Sequence, residues 1–242
     1  MTAYRVAKES YGPLRPQERG LLSEDRSGWY RFDTPGRTVY AAEDQETAFL
    51  EALSWARMTT QHAEYLKKTA AFFGEPVEKI REDVEDEWHA NGHMIPGWIP
   101  ANWRDGRLVY SMRFESGSWV DIAHGDSIAA LNEALGNFLY EVDVPETLTL
   151  AEVTGGRREV TTLLASWIRD QIPDDGSYPM GIRFPSKHGA VGQGHGYCRA
   201  LWLRRADVGL DDDPVSADAG TEIRQDDTAY DFALKRHGIN SR

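Results

Sequence analysis

Three side chains able to do chemistry stand close together in this sequence: Arg31, Tyr40 and Glu51, within residues 28–53. A fourth, Ser186, lies far downstream in the run GIRFPSKHG. A guanidinium fork grips phosphate oxygens, a carboxylate stabilises developing positive charge, and an aromatic ring stacks on a flat base. Together these types suggest a pocket for a phosphorylated, positively charged nucleotide. Each also has a plainer explanation. Glu51 sits among Ala48, Leu50, Ala52 and Leu53, where a carboxylate must be paired or functional because burying an unpaired charge is costly. An ion pair with Arg31, tying helix to strand, would satisfy it equally well. A serine at a strand end is commonly a turn former. No G-x-S-x-G elbow surrounds Ser186, so serine-hydrolase chemistry finds no support.

Other constellations are weaker. The glycines between His188 and Cys198 fail the G-x-G-x-x-G order, and no helix follows them, which argues against a Rossmann phosphate loop. His188, His195 and Cys198 lack a fourth ligand at a recognised metal spacing, so no metal is expected. His89 and His93 stand four apart without the glutamate of H-E-x-x-H, which removes a metallopeptidase. Trp88, Trp98 and Trp103 could form a sugar-stacking surface, but such residues more often pack a core or a lid.

The elements that must carry these residues follow an α+β pattern, without the strict βαβ alternation of a doubly wound sheet. Residues 4–6 read as a short strand and 39–41 as another, so that Tyr40 ends a strand. A helix begins at Asp44-Gln45-Glu46, carries Glu51, and is expected to run to about residue 73. An acidic helix and a loop rich in Gly, Pro and Trp fill 74–101. Strands are expected at 107–114, 118–122, 147–153, 180–184 and 198–203, with helices at 126–140 and 159–171. From residue 206 the chain reads as an acidic tail with one weak helix near 228–235.

At 242 residues the chain is long enough to build a core without staples. Its net charge of −12 argues against a general nucleic-acid binder and fits solubility, or else a basic partner protein. The single cysteine, Cys198, excludes an intramolecular disulfide and fits a reducing compartment. No signal peptide and no run of about 20 apolar residues is present, so a cytoplasmic protein that does not enter the membrane is expected.

The first block resembles the RES domain, named for an arginine, a glutamate and a serine. The family's arginine followed by an aromatic reads here as Arg31-Phe32, its glycine turn as Gly36, its strand-ending tyrosine as Tyr40, and its A-x-x-E helix as Ala48 to Glu51. The family's G-I-x-Y-P-S segment reads as GIRFPS, with Ser186 as the serine, followed by a glycine-containing loop and a strand near Cys198. The resemblance covers residues 28–205, and residues 1–205 are expected to form one RES-like catalytic domain. The stretch from Arg31 to Tyr40 is a residue shorter than usual, which makes Arg37 a rival for the arginine role. Extra length between Glu51 and Ser186 is assigned to a helical insertion at about 55–105.

The resemblance implies an ADP-ribosyltransferase-like fold, a mixed sheet split around a cleft that holds NAD as substrate. Many family members are toxins of bacterial toxin–antitoxin pairs that deplete NAD, and others resemble transferases that pass ADP-ribose to a protein. By that resemblance, Glu51 would stabilise the ribosyl cation, Arg31 would hold the diphosphate, Tyr40 would stack on nicotinamide or bond the ribose, and Ser186 would orient. A toxin would further imply a cognate antitoxin on a separate chain. A non-catalytic NAD-binding module of the same fold is the alternative outside enzymology.

Overall fold

The computed structural model describes residues 1–90, 96–142, 144, 147–174, 176–189, 196–210 and 213–241, with residues 88–90 described by their backbone alone. In chain order the described elements are β1 (Thr2–Lys8), β2 (Glu18–Arg19), β3 (Gly36–Ala42), α1 (Gln45–Leu53), α2 (Thr60–Phe73), α3 (Val77–Ala90), β4 (Trp98–Ile99), β5 (Arg107–Phe114) and β6 (Trp119–Asp121). They continue with α4 (Gly125–Glu141), α5 (Leu150–Val153), α6 (Arg158–Asp170), β7 (Gly181–Pro185), β8 (Tyr197–Trp202), α7 (Arg204–Asp207), β9 (Val215–Ala217), β10 (Thr221–Glu222), α8 (Thr228–His237) and β11 (Asn240–Ser241).

The protein is α+β, built on one mixed sheet of order β10-β5-β1-β3-β8-β7-β6, with β2 added on β3 and β9 on β5. Its pairings are antiparallel except for β6 with β7. One joint differs from the others. β1 meets β5 at seven positions and β3 meets β8 at five, but β1 and β3 pair only where Tyr4 faces Ala42. Beyond that point the two halves of the sheet part. Arg5 bridges the gap, its Nη1 donating to the Tyr40 carbonyl at 2.8 Å.

Strand alternation distributes the core. Val39 and Ala41 of β3, with Leu201 of β8, join one cluster, while Ala42, Cys198, Ala200 and Trp202 face the other side. On that other side two cores lie next to each other. One is built under α4 and α6 by residues such as Leu131, Leu135, Leu164 and Ile168. The second joins Phe49, Leu50 and Leu53 of α1 to Ala229, Tyr230 and Ala233 of α8. Tyr4 and Val6 touch both, so the seam in the sheet lies where the two cores meet.

Several expectations need correction. The helix that begins at Gln45 does not run to Phe73. It stops at Leu53, passes through a 3-10 turn at Ser54–Ala56, and restarts at Thr60 behind Thr59, whose hydroxyl caps the His62 N–H. Residues 147–153 are not a strand. Thr149 and Glu152 form a reciprocal capping box, which satisfies the free N–H groups of a short helix and overrides the β-like Leu148 and Val153. The acidic segment after 206 does not simply trail into solvent: β9 and β10 extend the sheet beside β5, and α8 completes a core. In the expected insertion, α2 and α3 share a small cluster of their own, Leu66, Ala70 and Ile80.

Candidate functional site

Glu51 is positioned by how α1 is fastened. Asp44 caps the helix, accepting from the Thr47 N–H at 2.7 Å and its hydroxyl at 2.8 Å, and the Gly196 N–H reaches the same carboxylate at 3.1 Å. Phe49, Leu50 and Leu53 bury the opposite face, each contributing about 1.5–3 kcal/mol. With that face fixed, Glu51 turns toward a cavity of about 440 Å³ along the β1–β3 seam.

Ser186 does not itself line that cavity, but it holds Glu51 at the wall. The Ser186 hydroxyl donates to Glu51 Oε1 at 2.5 Å and accepts the backbone N–H groups of His188 and Gly189 at 3.0 and 2.9 Å. One proton given and two lone pairs filled exhaust a hydroxyl. Ser186 is therefore built to hold a carboxylate rather than to attack. The turn is tight: a Cβ on Gly189 would lie 3.0 Å from the Gly196 Cα and 3.2 Å from the Ser186 Cβ. Among the described residues, none donates a hydrogen bond to the second Glu51 oxygen.

Arg31 and Tyr40 line the same cavity. Arg31 is mostly buried, stacks on Phe184 with 4.8 Å between guanidinium and ring centre, and donates to the Thr154 carbonyl at 3.1 Å. Among the described residues it has no ion pair, so the tie to Glu51 that the sequence left open does not form. Burial pulls its pKa below the usual arginine value, and nearby Glu51 partly offsets this. Tyr40 donates to Asp33 Oδ1 at 2.9 Å and accepts from the Phe32 N–H at 3.0 Å. Burial first, then Asp33, raises its pKa well above normal. Its hydroxyl thus locks the loop that carries Arg31, and its ring is the part left for stacking.

Arg37 is elsewhere. Its guanidinium pairs with Glu18 at 2.5 Å and Asp207 at 3.4 Å, and it lines neither this cavity nor its neighbour. The structure brings Arg31, Tyr40, Glu51 and Ser186 together and leaves Arg37 out.

Sequence reasoning missed the cavity's Arg5, Arg158 and Lys187, and weighed His188 only as a metal ligand. Lys187 and His188 directly follow Ser186, and that adjacency was the available signal. Burial lowers the pKa of Lys187, helped by Arg31 and Arg158. Burial also lowers that of His188 against the pull of Glu51, with Arg57 and His237 adding to the fall. Arg57 Nη1 lies 3.4 Å from His188 Nδ1. With Arg57 as donor, the neutral ring carries its proton on Nε2. Cys198 lines the cavity as a thiol kept protonated by burial and by Glu51. His93 and His195 lie outside the described residues, as do the side chain of His89 and that of Trp88. Among the described residues no group of three or more His, Cys, Asp or Glu is placed to hold a metal, and no helix is long and apolar enough to cross a membrane.

The fold and site define an α+β protein with a split mixed sheet, whose first seam cavity is lined, among the described residues, by one carboxylate and several cations. No protein-family model and no curated protein matches the sequence. Among solved structures, the M. tuberculosis MbcT–MbcA toxin–antitoxin complex contains a chain that aligns with 97% of this chain and 88% of its own length, at 13% identity and a TM-score of 0.43.

Proposed function

We propose that this protein consumes NAD by cleaving its nicotinamide–ribose bond, and that it is the toxin of a toxin–antitoxin pair. The observation that carries the enzymatic reading is the Ser186–Glu51 hydrogen bond. It joins two segments 135 residues apart at the wall of a cavity lined by Arg31, Arg158 and Lys187. The toxin reading adds only the sequence resemblance, and it implies an antitoxin on a separate chain.

Breaking the bond sends its electron pair to the pyridinium nitrogen, so nicotinamide leaves neutral and needs no strong acid. Positive charge gathers on the ribose, as in glycoside cleavage. Glu51 holds a ribose hydroxyl through its second oxygen and stabilises that charge, while Ser186 fixes its other oxygen. Arg31, with Arg158 and Lys187, faces the diphosphate. The Tyr40 ring packs on the nicotinamide. Water or phosphate then adds to C1′ and gives up a proton.

The test is to incubate purified protein with NAD, with and without phosphate, and identify the products. Nicotinamide with ADP-ribose means hydrolysis, and nicotinamide with a phosphorylated ADP-ribose means phosphorolysis. No nicotinamide release under either condition overturns the reading.

A further inference from the structure

A second cavity, of about 320 Å³, continues along the same seam toward the Lys8 end of β1. It shares Arg5, Val6, Tyr30 and Tyr40 with the first. Four cations line it, Arg5, Lys8, Arg15 and Arg19, against one carboxylate, Asp33. That carboxylate is already engaged. Arg19 Nε reaches Asp33 at 2.7 Å, and the Tyr30 N–H and Tyr40 hydroxyl each bond it at 2.9 Å. Arg5, Lys8 and Arg15 make no ion pair among the described residues.

Three unpaired cations around one cavity run against the grain of a chain whose net charge is −12. Arg5 is the most informative of them. Its Nη1 is used on the Tyr40 carbonyl, but its Nε is enclosed and meets no hydrogen-bond partner. A buried donor left unmatched is costly unless a ligand completes it. Lys8 and Arg15 are exposed at the rim, where long cationic side chains can fold over an anion. An arginine with an enclosed, unmatched Nε and two exposed cations at the rim suits a compact dianion carrying several acceptor oxygens.

We propose that this second cavity is a phosphoryl site, taking the phosphomonoester of a dinucleotide whose nicotinamide end lies beside Glu51. The assignment of one ligand to both cavities rests on the NAD reading above, and free inorganic phosphate is the other source of the same chemistry. The shared wall favours the substrate-borne group, because a ligand in the Glu51 cavity passes Arg5 as it extends.

The test is a set of calorimetric titrations, all in a Glu51→Gln background that suppresses turnover, of the otherwise wild-type protein (wild type below) and the Lys8→Gln/Arg15→Gln double variant with NAD, NADP and inorganic phosphate. Both substitutions are on exposed rim positions, so folding is checked simply by an unchanged melting temperature. The expected result is NADP bound about tenfold more tightly than NAD by wild type. In the variant that preference disappears while NAD affinity stays the same. Phosphate bound by wild type, lost in the variant, with no preference for NADP, assigns the site to free phosphate and overturns the substrate-borne source. Equal affinity for NAD and NADP with no phosphate binding overturns the site and leaves the NAD reading standing. Phosphate binding without either dinucleotide sinks the NAD reading and keeps the anion site.

Discussion

Two carboxylates, Glu43 just before α1 and Glu51 in its last turn, both reach toward the β7 segment, yet they are treated in opposite ways. Glu43 is fully occupied: Arg183 reaches its oxygens at 2.8 and 3.2 Å and Arg199 at 2.7 Å, while Asp121 takes another Arg183 nitrogen at 2.8 Å. Hydrogen bonds to Glu43 hold the Arg183 pKa above the usual value despite burial. Glu51 has one serine hydroxyl, and Arg31 beside it is pulled the other way by burial. The first cluster spends its charges on itself and braces the sheet. Among the described residues, the second leaves one carboxylate oxygen without a hydrogen bond and several cations without an ion pair around a cavity. Unfinished pairing, more than burial, separates the candidate site from the scaffold here.

Exchanging the roles of the two carboxylates tests that contrast most directly. Glu51→Ala is expected to cut nicotinamide release by about 10²–10³-fold, with the melting curve little changed. Glu43→Ala should do the reverse, costing about 2–3 kcal/mol of stability in denaturant titration by leaving Arg183 and Arg199 short of a partner. A Glu43 variant that lost activity without losing stability would erase the distinction.

Ser186→Ala should fall between them. It strands the His188 and Gly189 N–H groups and frees the Glu51 side chain, so a stability loss of about 1–3 kcal/mol should accompany a lower kcat. A smaller effect concerns pH. The folded state holds the His188 pKa below its ordinary value, mainly by burial. As pH falls below about 6.5 the unfolded chain takes up a proton that the folded imidazole resists, so this contribution to stability is lost on the acid side. Melting temperatures from pH 8 to pH 5 should therefore drop less steeply in His188→Asn than in wild type. Arg37→Ala should change least, under about 1 kcal/mol and with NAD turnover intact, because its pairs are partly exposed. Lost turnover in that variant would restore Arg37 to the site.

Much of the contrast was legible in residues 36–53 and 181–189. A strand, a cap and an apolar helix face leave periodic traces, and Tyr40, Glu51 and Ser186 stood on them. Arg31 was legible through its neighbour Phe32 rather than through any pattern of its own. What stayed hidden depends on distance. Arg158 and Arg5 carry no local signal, because nothing in GGRREV or TAYRV tells which cavity a guanidinium will face. The stop at Leu53 was invisible for a different reason. No glycine or proline interrupts residues 54–59, and the restart depends on a single threonine cap. Residues 215–222 were read as tail because two- and three-residue strands are too short to show alternation, and only β5 gives them a partner.

The pairing of β3 with β8 has a consequence in time. Thr38 faces Trp202 and Ala42 faces Cys198, so a strand made early waits for one made some 160 residues later. Contacts of such long range close slowly, after much of the chain has lost its freedom. During synthesis, at about 5–20 residues per second, Glu51 is exposed for several seconds before Ser186 exists to hold it. A growing chain therefore carries every early residue of the site but no site, and whatever the cavity does begins only once the molecule is nearly whole.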